Sequence, residues 1–175
     1  ADNVPAEGPA ILVGTHRSYF DVAALAVALG RRYPTVGFDL KADRVADLNA
    51  GQDTTGEIDA VELAGADKLR LSCNEADLKD CNVFIVAVPT PIDASRRPNL
   101  GPLISASRTV GGAIGKGDVV IYESTVYPGA TEEDCLPMVE EVSGLRFNQD
   151  FFAGYSPERI NPGDKDRPLT KIVKV

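Results

Sequence analysis

Six apolar residues in a row, Val83-Phe84-Ile85-Val86-Ala87-Val88, stop abruptly at Pro89-Thr90-Pro91. An unbroken apolar run of this length, rich in β-branched residues, suits a strand covered on both faces. Two prolines close together cannot continue a hydrogen-bonded ladder. The strand is therefore expected to end in a stiff turn at its carboxyl end. In an open α/β sheet, that edge is where ligands bind.

The rest of the chain repeats the pattern. Ala10-Ile11-Leu12-Val13-Gly14 reads as a first strand, and residues 21–29 as an Ala-rich helix. Pro34-Thr35-Val36-Gly37-Phe38-Asp39 reads as a second strand ending in an acid. Residues 42–49 follow as a short helix in which Val45 and Leu48 share a face. A further helix is expected near residues 58–64, and a third strand at Leu69-Arg70-Leu71-Ser72. After the fourth strand at 83–88, residues 102–114 read as a helix with Pro102 in its first turn. Residues 118–123 form a fifth strand. Residues 131–142 form a helix whose Thr131 and Asp134 resemble a capping box, and residues 151–155 a sixth strand. Strands alternating with helices predict a doubly wound, mostly parallel α/β sheet of about six strands, Rossmann-like, with helices on both faces.

At 175 residues, 43% apolar and 25% charged, the chain has the make-up of an ordinary soluble domain with a sizeable core. A single dinucleotide-binding domain over residues 1–175 is expected. No stretch approaches the roughly 20 apolar residues of a membrane helix. The first nine residues show neither a basic start nor an apolar core, so no signal peptide is expected. Cys73, Cys81 and Cys135 lack metal spacing and read as free thiols, which favours a cytoplasmic address. A net charge of −8 argues against a nucleic-acid partner. The only candidate linker is the Pro/Gly/Asp stretch at residues 161–168. The segment at 171–175 reads as a strand cut short, with a second domain expected to follow.

A strand ending in Gly14, a helix, and a strand ending in Asp39 make the core of a dinucleotide-binding unit. An acid at that point accepts hydrogen bonds from a ribose diol and repels the extra phosphate of NADP, so Asp39 points to NAD. The alternative is that Asp39 caps the helix after it. The loop that should hold the pyrophosphate is atypical. The usual pattern is Gly-x-Gly-x-x-Gly, whereas this chain reads Gly14-Thr15-His16-Arg17-Ser18-Tyr19-Phe20-Asp21-Val22, with one glycine. Two readings stand. Helix amides with His16 or Arg17 still face a phosphate, or the site is damaged and NAD binds poorly. His16, the only histidine, either touches that phosphate or is a solvent-exposed loop residue.

Two later segments complete a resemblance. They are Tyr122-Glu123-Ser124-Thr125-Val126-Tyr127-Pro128-Gly129-Ala130-Thr131 and Gly154-Tyr155-Ser156-Pro157-Glu158-Arg159-Ile160-Asn161-Pro162-Gly163-Asp164. With Val88-Pro89-Thr90-Pro91 and Val36-Gly37-Phe38-Asp39, they resemble the NAD-binding domain of the UDP-glucose/GDP-mannose dehydrogenase family. The nearest branch is the UDP-N-acetylhexosamine 6-dehydrogenases (glucosamine, galactosamine or mannosamine) of bacterial surface-polysaccharide synthesis. The resemblance covers nearly all of the chain from Ala24 onward, and the Ser-Pro-Glu-Arg-Ile-Asn-Pro-Gly-Asp run is its most specific part. It breaks at the glycine-rich loop, where a few extra residues lie between Gly14 and Leu25.

The resemblance implies roles residue by residue. Gly14 and Asp39 belong to the NAD site, with Asp39 on the ribose. Arg44 lies beside the adenosine end, and Val88, Pro89 and Thr90 form the turn along the cofactor. Thr125 lies near the nicotinamide and helps hold the catalytic water. Glu158 assists hydrolysis of a thioester. The implied reaction oxidises the C6 alcohol of a UDP-sugar to a carboxylate, in two hydride transfers to NAD⁺ through a cysteine-bound intermediate. The family's nucleophilic cysteine, catalytic lysine and sugar-binding residues fall beyond Val175, and none of the three cysteines here matches the nucleophile. The sugar-binding domain is thus expected to be absent from this stretch, which should not turn over alone. The UDP-sugar would bind through that domain, and a homo-oligomer is expected of the full-length enzyme. No metal site and no membrane partner are expected.

Bland readings remain for two of these residues: Thr125 as a turn cap, and Glu158 paired with Arg159 or Lys165 on the surface. For the chain as a whole, the alternative to an oxidoreductase domain is a non-catalytic Rossmann-like module or degenerate remnant with impaired NAD binding.

Overall fold

The computed structural model describes residues 10–13, 22–54, 56, 58–92 and 96–156. Gly14, His16, Arg17, Tyr19, Phe20 and Glu158 lie outside them, as does the candidate linker. Six strands form one parallel sheet: β1 (Ala10–Val13), β2 (Thr35–Phe38), β3 (Leu69–Ser72), β4 (Val83–Val86), β5 (Val119–Tyr122) and β6 (Phe152–Tyr155). Their order across the sheet is β3-β2-β1-β4-β5-β6. The chain builds outward from β1 to β3, returns to the centre, and builds outward again from β4 to β6. Right-handed crossovers run in opposite directions carry their helices to opposite faces. The order reverses between β1 and β4, the place where this class of sheet opens a crevice.

The helices are α1 (Val22–Gly30), α2 (Ala42–Asn49), α3 (Ala60–Ala64), α4 (Gly101–Gly111) and α5 (Leu136–Ser143). On α2, Val45 and Leu48 are buried together, as their spacing predicts. The helix expected near residues 58–64 starts later, at Ala60. Asp59 caps it by accepting a bond from Glu62 N at 2.7 Å, and Ile58 is buried beside Val27 and Ala66 instead. Pro102 does stand in the first turn of α4, but the helix closes at Gly111 rather than 114. The N–H groups of Ala113 and Ile114 both fold back to the Val110 carbonyl.

The main core lies under the second half of the sheet. Phe84 and Val86 of β4, Val120 and Tyr122 of β5, Leu103 and Val110 of α4, and Leu136 and Val139 of α5 are almost fully buried. α4 and α5 meet closely at Gly111, where a Cβ would stand 2.9 Å from Val142 Cβ and 3.1 Å from the Val139 carbonyl. Cys81, ahead of β4, is one of the packing residues.

The helix predicted over residues 131–142 forms with a different start. Residues Thr131–Cys135 make a π turn, closed by the Leu136 N–H bonding to the Thr131 carbonyl five residues back. Pro137 follows directly, and its ring and missing N–H exclude the ordinary bond to the carbonyl of residue 133. The capping box is not formed. Thr131 is buried with no capping bond, and Asp134 accepts from the Tyr127 hydroxyl at 2.7 Å instead. The other end of α5 closes on Gly144 at φ 71°, the left-handed conformation that favours glycine.

β4 also ends earlier than its sequence suggests. Val83, Phe84, Val86 and Val88 (2% exposed) of the apolar run are buried and Ile85 and Ala87 half-buried, but the ladder stops at Val86. The Val88 carbonyl turns away to accept the Ser124 hydroxyl, and the chain leaves the sheet two residues before Pro89.

Candidate NAD site at the strand tips

The register of the sheet sets the tips of its strands level. Ser72 pairs with Phe38, Phe38 with Val13, Val13 with Val86, Val86 with Tyr122, and Tyr122 with Tyr155. Three ladder bonds continue one residue further: Asp39 N to Ser72 O (3.2 Å), Glu123 N to Val86 O (2.8 Å) and Ser156 N to Tyr122 O (2.9 Å). Asp39 and the turns carrying Thr90 and Thr125 therefore follow strand tips along one edge. Gly14 and Glu158 follow β1 and β6 in sequence, outside the described residues.

Asp39 emerges from β2 with its side chain 13% exposed. One carboxylate oxygen accepts the Lys41 N–H at 2.9 Å; the other faces Arg44 Nε at 3.8 Å. Lys41, not Asp39, is the N-cap of α2, and no side chain caps that helix. Asp39 thus orders the entry to α2 without serving as its cap. Beneath it lies a small apolar pocket that Phe38, Val45, Leu48 and Leu71 help to line.

Arg44 lies on the first turn of α2, 15% exposed, between two carboxylates. Its Nη2 stands 3.6 Å from Asp53, whose side chain is fully buried. Its Nη1 is buried and finds no hydrogen-bond partner among the described residues. The same is true of Thr90 Oγ1. A buried hydroxyl or guanidinium nitrogen left unpaired costs on the order of 1–3 kcal/mol. Two such atoms, both at predicted cofactor positions, mark groups that a polar ligand would satisfy. Together with the Asp39 carboxylate, they fit the ribose and phosphate groups of a dinucleotide.

Val88 and Pro89 contribute in another way. The Val88 side chain belongs to the core, so only its backbone can face a ligand. Ser124 is buried and donates its hydroxyl to the Val88 carbonyl at 2.5 Å, tying the turn after β4 to the turn after β5. Thr125, the next residue, is exposed. Sequence reasoning missed both Ser124 and Asp53. Ser124 stands beside a residue that the reasoning did select; Asp53 lies in a polar loop where an acid is unremarkable until its burial is seen.

Among the described residues, no group of three or more His, Cys, Asp or Glu side chains could hold a metal, and no helix is long and apolar enough to cross a membrane.

Comparison with known proteins agrees with this fold. The model of the UDP-glucose/GDP-mannose dehydrogenase family, NAD binding domain, matches residues 22–174. A UDP-N-acetyl-D-glucosamine 6-dehydrogenase of Pseudomonas aeruginosa is 59% identical over 86% of this chain and 36% of its own length. Protein CapL of Staphylococcus aureus is 47% identical over 86% of this chain and 35% of its own. A solved UDP-D-ManNAc dehydrogenase of Pyrococcus horikoshii superposes with a TM-score of 0.78 at 33% identity, over 89% of this chain and 37% of that one. A GDP-mannose dehydrogenase of Pseudomonas aeruginosa, at 24% identity and the same TM-score, shares the fold. The chain spans about a third of the length of the curated relatives it matches. The chain belongs to the UDP-glucose/GDP-mannose dehydrogenase family, as its NAD-binding domain, and its cofactor is NAD.

Proposed function

We propose that this domain holds NAD⁺ for an enzyme that oxidises the C6 alcohol of a UDP-N-acetylhexosamine to a carboxylate. The observation that carries the reading is the alignment of Asp39, the Thr90 turn and the Thr125 turn along one sheet edge, with buried unpaired atoms on Thr90 and Arg44. The 59% identity to a UDP-N-acetyl-D-glucosamine 6-dehydrogenase supports the sugar class.

In this reading Asp39 accepts the hydroxyls of the adenosine ribose, and Gly14 opens the phosphate loop. Arg44 Nη1 and Thr90 Oγ1 donate to cofactor oxygens, and the backbone of Val88 and Pro89 lies along the cofactor. When bound, NAD⁺ supplies the hydride acceptor. Thr125 holds the water that completes the oxidation. Glu158 takes a proton from that water, a role suited to a carboxylate acting as general base. The nucleophile and the sugar contacts are supplied by the rest of the protein, with assembly as a homo-oligomer and a cytoplasmic location. The family match favours this reading over a degenerate module.

The test is an assay of the full-length protein with NAD⁺ and each UDP-N-acetylhexosamine in turn. Production of NADH and of the UDP-uronic acid, two NADH per sugar, is expected with at least one of them. NAD⁺ reduction with none of these sugars would overturn the proposal.

A further inference from the structure

Arg44 is shared between two carboxylates of different character. Asp39 is at the strand tip and meets Nε at 3.8 Å; Asp53, in the loop after α2, meets Nη2 at 3.6 Å and has no exposed side-chain surface. Asp53 is itself held by the fold. Its Oδ2 accepts the N–H of Ile58 at 3.2 Å, and Ile58 is buried against Val27 and Ala66. The guanidinium is thus held by an anchored acid, with Nη1 unpaired among the described residues.

Two carboxylates flank one guanidinium. A neutral ribose diol fits such a place. A ribose bearing a 2′-phosphate brings further negative charge, and an arginine would have to swing towards it to compensate. Asp53 opposes that swing, since it would break the ion pair that Arg44 makes with a buried carboxylate. We infer that Asp53 is a positioning residue for cofactor choice: it holds Arg44 in place and keeps the site selective for NAD⁺ over NADP⁺. This rests on the reading of Asp39 as the ribose acid.

The test measures Kd for NAD⁺ and for NADP⁺ by calorimetry on the full-length protein and its Asp53→Asn variant. Asparagine keeps the shape and the acceptor for Ile58 N while removing the charge. The ratio of Kd for NADP⁺ to Kd for NAD⁺ is expected to fall about tenfold, because the acid that holds Arg44 has lost its charge and Arg44 is free to turn towards a 2′-phosphate. Asp53→Ser, smaller but still an acceptor, is expected to shift the ratio the same way. A merely structural acid would weaken both cofactors equally, so an unchanged ratio overturns the inference. Loss of folding in both variants also overturns it, since Asp53 would then serve the fold alone. Failure of the wild-type protein to bind NAD⁺ would instead sink the underlying reading of the site.

Discussion

The Ser124 hydroxyl and the Val88 carbonyl, 36 positions apart in sequence, meet at 2.5 Å in a buried contact that joins two turns of the strand-tip edge. One turn carries Thr90, the other Thr125. The bond therefore fixes the proposed cofactor turn relative to the proposed catalytic threonine. Removing it leaves a buried carbonyl without that partner, which costs about 1–3 kcal/mol. Ser124→Ala is expected to lower the melting temperature, raise KM for NAD⁺ and lower kcat together. A drop in stability with unchanged kinetics would show that the two turns do not depend on each other.

Asp39 should set both affinity and cofactor choice. Hydrogen bonds to a charged acceptor contribute about 1.5–3 kcal/mol, so Asp39→Ala is expected to weaken NAD⁺ binding by roughly 10- to 100-fold. Wild-type protein should bind NADP⁺ more weakly than NAD⁺, and the variant should narrow that gap. Calorimetry with both cofactors checks this; equal affinity for the two in the wild type would contradict the role of the acid.

A buried pair in the core makes an asymmetric prediction. The Ser107 hydroxyl donates to the Leu103 carbonyl at 2.9 Å, so in its 2.8 Å contact with Tyr122 the phenol is the donor. Tyr122→Phe removes that donor and leaves Ser107 bonded, at a cost of about 1 kcal/mol. Ser107→Ala strands a buried phenol and should cost more, about 1–3 kcal/mol. Urea denaturation of the two variants decides the order, and equal costs would show that the phenol finds another acceptor.

The three cysteines should behave as two classes. Burial pushes the Cys81 thiol up to about 12 and the Cys135 thiol up to about 11, while Cys73 is exposed. Thiolates are the reactive form. Native protein at neutral pH is expected to be alkylated at Cys73 alone, and unfolded protein at all three. The same shifts bear on stability. Both folded thiols titrate above the ordinary 9.0, so their contribution is complete below pH 9 and is lost as the pH rises towards 11–12, where only the unfolded chain ionises readily. Cys81→Ala should flatten that alkaline loss. Mass spectrometry of alkylated protein and denaturation at several alkaline pH values measure both effects.

Much of this architecture is legible in the sequence because the signals are local. The apolar run through Val88 announces a buried strand, and Phe84 and Val86, which share one of its faces, are fully buried. The spacing of Val45 and Leu48 gives the inner face of α2. Asp39 is found by its place after a strand. What the sequence hides depends on partners far along the chain. β4 ends at Val86, and Ser124 from beyond β5 holds the turn that follows. Thr131 looks like a cap, but it is buried at the start of a π turn that runs into Pro137. Asp53 resembles any loop acid, and only the packing of Ile58 and Arg44 makes it a buried partner. At the edge itself, Asp39, Thr90 and Thr125 could be chosen from sequence, whereas the residues that hold them in place could not.

The most direct measurement is a structure of the full-length protein bound to NAD⁺. The dinucleotide is expected along the tips of β1, β2, β4 and β5, with the adenosine ribose hydroxyls on the Asp39 carboxylate and cofactor oxygens within hydrogen-bond reach of Thr90 Oγ1 and Arg44 Nη1. NAD⁺ seated elsewhere, with Asp39 and Thr90 untouched, would contradict it.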